Sequence, residues 1–493
     1  MSIRDVINCR DVLWWMVFSG LGVNFMLRVN LNLVLVATAK QSETPVVSQC
    51  GEVMNNTFIK SVNNFSVANN ETEEMKQVQY SEYEQGLAIG AYYWIHWLSE
   101  IPGGVLARKY GTKMIFGVGN LLAAILGVFL SVTMQYSLYS LIFIRVLQGL
   151  VAGVAYPATH DLTAKWIPQK ERSKFVSAYM GGSVGIALTY PLSGFIIDYL
   201  GWESVFYITS VLGIIWWFLW ISFVYDTPQQ HPRISEKEKK YILDNLGTSV
   251  DHSNRNLAIP WSQILTSWPV WTSVLSNWGA VWGYFTLMAQ APAYFKFIHG
   301  WSVEKTGIFS GLPHFLTMFF SWIFAHMSDW LLQTERLTLT EVRKLATIVS
   351  SGLPSFLILG LAFSGCYPVL AVILIMGGIA SAGAVTSGPL SNLVDLSPNY
   401  ASILLGICGL VIDIAGFVSP IIVGFLTNDN QTIGQWRLIF IIAFLNMAIC
   451  CLIFCIWGTA EEQSWNQYHT VSKNEEDYKI DIELKPQSNN HNK

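Results

Sequence analysis

The chain has 493 residues, of which 52% are hydrophobic and only 13% are charged, against about 25% charged in a typical soluble domain. Its mean hydropathy is +0.39. These values exclude a disordered, coiled-coil, collagen-like or small disulfide-stapled protein, and a net charge of −4 provides no basic surface for nucleic acid. We therefore expect an integral membrane protein whose surroundings are a lipid bilayer.

Apolar stretches of about 20 residues are long enough to cross a bilayer as helices. The first such stretch is too long for the apolar region of a signal peptide, so we predict a transmembrane helix there. Twelve stretches are predicted as helices: 12–39, 85–107, 113–134, 138–162, 172–200, 203–225, 270–297, 306–332, 344–364, 368–392, 400–427 and 435–458.

The polar segments divide these helices six and six. The predicted organisation is an N-terminal six-helix bundle (1–225), a cytoplasmic linker (226–268), a C-terminal six-helix bundle (269–458) and a cytoplasmic tail (459–493). With both termini in the cytoplasm, most of the 29 Lys and Arg residues fall on the cytoplasmic side, as the positive-inside rule requires.

This orientation places the polar loop 40–84 outside the cytoplasm. Asn-x-Ser/Thr sequons occur at Asn55, Asn64 and Asn70 in that loop and at Asn430 between the last two helices. All four lie outside in the predicted topology, where N-glycosylation occurs, so the sequons and the charge distribution agree.

The cysteines do not predict a disulfide framework, because seven in so long a chain are few. Five lie in or next to apolar stretches, where we expect inert packing: Cys9, Cys408, Cys450, Cys451 and Cys455. The sequence contains no phosphate-binding P-loop, zinc-ligand cluster or nucleophile elbow. We therefore expect a transporter rather than an enzyme, driven by sodium or protons and without another cofactor.

An arginine near the middle of the first helix is the main candidate for anion binding. Asn24 and Asn32 lie four residues to either side of Arg28, so the three share one helix face. A guanidinium is permanently charged and suits a carboxylate or phosphate. The alternative is that Arg28 pairs with an internal acid for structural reasons.

The fourth helix repeats this pattern. One face carries Arg145, Gln148, Ala152, Tyr156 and His160. Arg145 lies at a depth similar to that of Arg28, which predicts an anion clamp, although an interfacial position for its side chain stays open. His160 is a candidate proton relay or gate, with a structural hydrogen bond as the alternative.

Other polar residues within helices are weaker candidates for the substrate site, because aromatic residues in membrane helices mostly serve packing. They are Tyr92, Tyr93 and His96 in the second helix, and Asn277, Tyr284 and Gln290 in the seventh. Two acids also lie within helices. We interpret Glu100 as structural, whereas Asp413 either couples transport to a sodium ion or proton or neutralises a buried arginine.

Several motifs resemble the anion:cation symporter family of the major facilitator superfamily, which includes sialin, the vesicular glutamate transporters and the sodium/phosphate cotransporters. The similar segments are NFMLRVNL at 24–31, RVLQGL at 145–150, GVAYPATH at 153–160, QAPAYF at 290–295, DLSPNYA at 395–401 and EQSWN at 462–466. The resemblance covers nearly all twelve helices and implies two six-helix bundles that alternate in access around a central site.

Four departures from the family pattern bear on the substrate and on its coupling. Proton-coupled vesicular and lysosomal members carry a glutamate where this chain has Ala152. The vesicular glutamate transporters carry an arginine in place of Ala280 and a histidine in place of Ile89. The family pattern has a neutral residue at Asp413. The resemblance is therefore to members described as inorganic phosphate cotransporters, and vesicular glutamate transport is disfavoured.

The sequence thus predicts a plasma-membrane symporter, expected to be monomeric, that carries inorganic phosphate or a small organic anion together with a cation. One alternative is a sialin-like, proton-coupled exporter of acidic sugars or amino acids from a lysosome or vesicle. A second is a non-transporting receptor or scaffold with the same fold.

Overall fold

The computed structural model describes residues 8–39, 49–50, 80–168, 175, 177–245 and 260–466, and no β-strand occurs within these ranges. The N-terminal half contains α1 (Cys9–Thr38), α2 (Glu82–Gly90, the 3₁₀ turn Ala91–Tyr93 and His96–Tyr110), α3 (Thr112–Tyr136), α4 (Leu138–Ala152 and Ala155–Trp166), α5 (the 3₁₀ turn Ser177–Met180 and Gly181–Leu200) and α6 (Glu203–Phe223).

The C-terminal half repeats the six-helix arrangement. It contains α7 (Trp268–Phe297), α8 (Val303–Gln333), α9 (Leu339–Thr347, the π-helical turn Ile348–Gly352 and Leu353–Ala362), α10 (Pro368–Ser381, the 3₁₀ turn Ala382–Ser387 and Pro389–Leu396), α11 (Ala401–Thr427) and α12 (Ile433–Trp457). Between the halves lie a linker helix, Glu236–Asn245, and a short helix, Trp261–Thr266.

The prediction of twelve spanning helices in two bundles is confirmed. Ten of the twelve are long and apolar enough to cross a membrane by composition alone. The two others are α2 and α7. Most of α7 is buried inside the protein, so it accommodates Ser273, Ser276 and Asn277 without exposing them to lipid.

The second helix differs from the prediction of one continuous helix. Its regular hydrogen bonding is interrupted at Trp94 and Ile95, and a new helical segment begins at His96. Such irregular backbone is tolerated at membrane depth only where protein surrounds it or where it lines a cavity. The interruption lies directly beside the site described below.

The two faces of the molecule are distinguished by what they carry. A disulfide joins Cys50, which precedes α2, to Cys366 in the loop between α9 and α10, and we call this the disulfide side. On the opposite, terminal side, the linker helix packs against the start of α1. There the Glu238 carboxylate accepts hydrogen bonds from the Cys9 amide at 3.0 Å and from Arg10 Nε at 3.2 Å.

The two halves pack closely on the disulfide side. A Cβ atom added to Gly90 of α2 would lie 3.0 Å from the Phe417 carbonyl oxygen of α11, and one added to Gly311 of α8 would lie 2.6 Å from the Ala187 carbonyl oxygen of α5. Lys296 also donates a hydrogen bond to the Val36 carbonyl at 2.7 Å. Glycine is therefore required where these backbones meet.

The terminal side is open by comparison. The terminal-side segments of α4 (Ala155–Trp166) and α10 (Pro389–Leu396) do not form a packed interface with each other. The His160 side chain on α4 is exposed. The structure therefore represents a conformation that is closed on the disulfide side and open on the terminal side.

The Cys50–Cys366 disulfide was not predicted from the sequence. The expectation for the other five cysteines is consistent with the structure, in which all of them are free thiols. Cys50 and Cys366 are 316 positions apart, and each lies in a predicted outer loop. No spacing rule connects two such loops, so their pairing emerges only when the two bundles are assembled.

We predict that Cys50→Ser and Cys366→Ser each lower the stability of the folded protein by about 2–4 kcal/mol, because each removes the same cross-link between the two halves. The double variant should be no less stable than either single variant. Thermal unfolding of the detergent-solubilised proteins measures this, with Cys455→Ser as a free-thiol control. Additive losses from the two single variants would contradict the cross-link.

Candidate functional site

The Arg28 guanidinium lies buried between the two halves and is surrounded by aromatic rings. Its Cζ lies 4.5 Å from the ring centroid of Phe25, 4.9 Å from that of Tyr92 and 5.3 Å from that of Tyr93. The faces of aromatic rings attract cations, and this attraction strengthens where water is excluded. The rings therefore stabilise the positive charge without neutralising it.

Arg28 begins a chain of hydrogen bonds that crosses from one half to the other. One guanidinium nitrogen lies 3.0 Å from Nε2 of His96 on α2, and Nδ1 of His96 lies 2.9 Å from Oδ2 of Asp413 on α11. All three residues are buried. We refer to Arg28, His96 and Asp413 as the relay.

The donors within the relay follow from chemistry. An arginine can only donate, so Nε2 of His96 accepts from Arg28. Its proton is then assigned to Nδ1, which donates to Asp413. In this conformation His96 is a neutral bridge between a positive and a negative group. Asp413 therefore does not neutralise an arginine by direct contact, which was one of the two predicted roles.

Glu100, which was predicted to be structural, also belongs to this environment. Its carboxylate lies 3.5 Å from Nδ1 of His96, one helical turn away. The spacing of Tyr92, His96 and Glu100 at four-residue intervals places them along one face of α2. This spacing is the signal in the sequence that could have placed Glu100 beside Tyr92 and His96.

Arg145 is committed to the backbone of α1. It donates to the Leu27 carbonyl at 3.3 Å, to the Arg28 carbonyl at 2.9 Å and to Gln148 Oε1 at 3.1 Å. Its Cζ lies 4.8 Å from the Tyr92 ring, on which Arg28 also rests. Arg145 is only 1% exposed, so the interfacial alternative is wrong.

A small cavity lies between the halves beside these side chains. Its lining includes Arg28, Asn32, Tyr93, Arg145, Phe285 and Gly416. Three buried polar atoms of this lining have no hydrogen-bond partner within the described residues, namely Nε of Arg28, Nε of Arg145 and the Tyr93 hydroxyl. Unpaired buried donors are costly, and a bound anion would satisfy them.

A second cavity follows toward the disulfide side. It shares Asn32, Ile89 and Ala289 with the first cavity and is also lined by Gln85 and Gln290. The two cavities therefore succeed one another along the interface between the halves. The amides of Asn32, Gln85 and Gln290 make part of this second lining polar.

The relay is not arranged as a metal site. Potential ligand atoms of His96, Glu100 and Asp413 lie within 4.8 Å of one another. However, Nε2 of His96 is occupied by the Arg28 donor and Nδ1 carries the proton shared with Asp413. A metal would need a free imidazole lone pair, and a guanidinium 3.0 Å from the ring opposes any added cation.

Asn24 and Asn32, which share one face of α1 with Arg28, lie in two different environments. Asn32 lines the cavity and donates to the Tyr190 hydroxyl at 3.1 Å. Asn24 instead donates to Asn120 Oδ1 at 2.9 Å and so joins α1 to α3. Asn24 does not line this cavity, so its predicted role in substrate binding stays a prediction.

The remaining predicted residues lie away from the cavity lining. On the terminal side, Tyr156 lies against the Phe25 ring at 6.4 Å, and His160 lies 3.2 Å from the Tyr179 hydroxyl. In α7, the Tyr284 hydroxyl lies 3.2 Å from Nδ1 of His314, and Asn277 donates to the carbonyl of Ser273 in its own helix. Their proposed roles in transport stay predictions.

Asn430 lies exposed in the loop between α11 and α12 on the disulfide side. The same loop contacts the entry to α2, where the amide of Asp429 donates to Glu82 at 3.2 Å. Asn430 therefore lies on the same side as Cys50, which adjoins the loop that carries the other three sequons. Asn55, Asn64 and Asn70 lie outside the described residues.

The chain matches the family model of the Major Facilitator Superfamily over residues 17–342. It is 34% identical to vesicular glutamate transporter 3 of Danio rerio over 83% of this chain and 70% of that protein. It is 33% identical to sialin of Homo sapiens over 92% of this chain and 90% of that protein. The two identities are too similar to choose between these relatives.

Solved structures show the same fold at low identity. A D-xylose–proton symporter superposes with a TM-score of 0.62 at 13% identity, covering 92% of this chain and all of that one. A bacterial homologue of the human lysosomal transporter Spinster, in an inward-facing and unoccupied conformation, has a TM-score of 0.62 at 15% identity and covers 91% of this chain and 96% of its own.

The two arginines should differ in what they contribute to stability. Arg145→Lys should destabilise the protein by about 2–3 kcal/mol, because one ammonium group cannot reach two carbonyls and Gln148 together. Arg28→Lys should cost less, since within the described part of the chain the Arg28 guanidinium makes no hydrogen bond to another helix's backbone. Thermal unfolding of both variants measures the difference, and equal losses would contradict the roles described here.

Proposed function

Since the chain belongs to the anion:cation symporter family of the major facilitator superfamily, we propose that it moves a small anion across a membrane by cation-coupled secondary transport. Inorganic phosphate or a small organic acid is the proposed cargo. The single observation that supports this is the cavity at the bundle interface, whose lining residues carry three buried donors without a partner among the described residues.

The donors have different roles toward an anion. Nε of Arg28 has no partner among the described residues, so Nε and a terminal nitrogen can engage a carboxylate or phosphate through paired N–H groups. Arg145 is held by α1 and offers Nε as a fixed second donor. The Tyr93 hydroxyl completes the set from α2. This division modifies the symmetric clamp predicted from sequence.

The conformation supports alternating access as the mechanism. The halves are in close contact on the disulfide side and are separated on the terminal side, and the cavity lies between these regions. Rocking of one half against the other would exchange the open side while the central donors remain in place. The glycine contacts of α2 with α11 would have to separate in the alternate state.

A lysosomal or vesicular exporter is the second candidate. The similarity to sialin over 90% of that protein favours it, whereas Ala152 stands where proton-coupled members carry a glutamate. A non-transporting receptor is less consistent with the site, because such a protein has no use for unpaired buried donors around a permanent charge.

Transport by the purified protein in liposomes tests the proposal. At least one of radiolabelled inorganic phosphate, glutamate and glucuronate should be taken up. The other two anions, added unlabelled, should compete with it for uptake. Liposomes without protein supply the background. Failure to carry any of the three would overturn anion transport as proposed.

Arg28→Lys should reduce uptake at least tenfold at matched protein levels, because lysine keeps the charge but loses the paired donors. Arg336→Lys, the same exchange at an exposed arginine on the terminal side, should leave uptake unchanged. Radiolabelled uptake at several substrate concentrations measures both. Near-normal uptake by Arg28→Lys would remove Arg28 from the site.

We also propose that the disulfide side faces away from the cytoplasm, at the plasma membrane. Disulfides persist in oxidising compartments, and Cys50 adjoins the loop that carries three sequons. Positive charge on the opposite side supports the same orientation. Under this orientation the open terminal side faces the cytoplasm.

Removing N-linked glycans enzymatically should therefore increase the protein's mobility on a gel. The triple variant Asn55→Gln, Asn64→Gln and Asn70→Gln should lose most of that shift, and the remainder should depend on Asn430. Surface biotinylation of intact cells tests the plasma-membrane location. An undiminished shift in the triple variant would contradict the predicted glycosylation of the loop.

A further inference from the structure

We propose that the coupling ion is a proton and that it binds to Nε2 of His96, where it competes with the Arg28 guanidinium for one lone pair. This inference rests on the proposed anion transport and specifies its driving ion. It is carried by the relay, in which a guanidinium nitrogen lies 3.0 Å from Nε2 of His96 while Nδ1 lies 2.9 Å from Asp413.

The Arg28 donor blocks protonation of His96 in the empty site. Nδ1 already carries a proton, so the Nε2 lone pair is the one position left for a second. Arg28 occupies that lone pair, and an imidazolium would place two positive groups in contact. A proton therefore cannot bind at Nε2 until the guanidinium leaves.

An anion in the cavity supplies the reason for Arg28 to leave. The cavity borders Arg28, and Nε of Arg28 has no partner among the described residues. A carboxylate or phosphate that engages Nε and a terminal nitrogen would draw the guanidinium from the imidazole. Nε2 then accepts a proton from water, and the Nδ1–H to Asp413 bond remains in place.

The surrounding charges favour binding the anion and the proton together. The groups that face His96 or the cavity are Arg28 from α1, Tyr92, Tyr93 and Glu100 from α2, Arg145 and Tyr156 from α4, and Asp413 from α11. At their ordinary charges, the two arginines balance the two carboxylates. Adding a monovalent anion and one proton preserves this balance, whereas adding either alone does not.

The relay also connects binding to the change of access. The bond from His96 to Asp413 joins the N-terminal half to the C-terminal half, next to the contacts of Gly90 with Phe417 and of Tyr93 with Gly416. When α2 and α11 separate on the disulfide side, an imidazolium would lose its carboxylate partner. The proton would then return to water on that side, and Arg28 could recover Nε2 as the anion dissociates.

The wild-type protein in liposomes provides the first test. Uptake of labelled phosphate, glutamate or glucuronate should rise several-fold when the external pH is lowered from 7.5 to 5.5 with the interior at 7.5. Replacing sodium with choline should change nothing, and a trapped pH-sensitive dye should report acidification that requires the anion. Sodium-dependent uptake without acidification would overturn proton coupling while leaving anion transport intact.

The second test separates coupling from binding. Gln at position 96 can accept from Arg28 and donate to Asp413, but it cannot bind the extra proton. His96→Gln should therefore lose proton-driven accumulation and acidification, and the anion exchange that remains should no longer change with external pH. His326→Gln, which changes an exposed histidine on α8 that bonds only to its own helix, should retain both activities.

Asp413→Asn should reduce proton-driven accumulation and acidification less than His96→Gln does. The amide keeps a hydrogen bond to His96 but no longer stabilises an imidazolium.

Proton-driven accumulation by His96→Gln would overturn the assignment of the site. If the wild type carries none of the three anions, both the transport proposal and its coupling fail. The wild-type dye measurement stands on its own should a variant not fold.

Discussion

The burial of one permanent positive charge, the Arg28 guanidinium, is the constraint on which the central structure depends. Removing such a charge from water costs several kcal/mol unless protein groups replace its hydration. Here three aromatic faces and one imidazole nitrogen do so, and no carboxylate of the described residues contacts the guanidinium directly. The charge is thereby stabilised while donors remain available for an anion. The proposed anion site depends on this incomplete compensation.

The second arginine makes that arrangement rigid. Arg145 binds the carbonyls of Leu27 and Arg28, so it holds the main chain of α1 at the depth where Arg28 projects into the cavity. Both guanidinium groups rest against the Tyr92 ring, which attracts both positive charges. The two arginines therefore have unequal tasks, since one is positioned by the fold and the other is left free to respond to a ligand.

Close packing on the disulfide side sets the limits of motion. The glycine contacts between α2 and α11 and between α5 and α8 allow backbones to meet without side chains between them, so the halves can close tightly and separate as rigid bodies. The disulfide joins the halves on this same side through loops rather than through helices. The central hydrogen bond between His96 and Asp413 crosses the same interface. Separation of the halves would therefore open the disulfide side and break this hydrogen bond together.

The sequence by itself determined the number of helices, their division into two bundles and the importance of Arg28, because hydrophobic length and an isolated charge in an apolar helix are local properties. It also singled out Asp413 and the polar residues of α2 as candidates. Only the tertiary structure decided how they combine. Asp413 is 317 positions from His96, Asn24 faces α3 rather than the cavity, and Cys50 pairs with a cysteine of the other half. Such contacts depend on the rotation of each helix about its axis and on the packing of one bundle against the other, and no local pattern of residues specifies either.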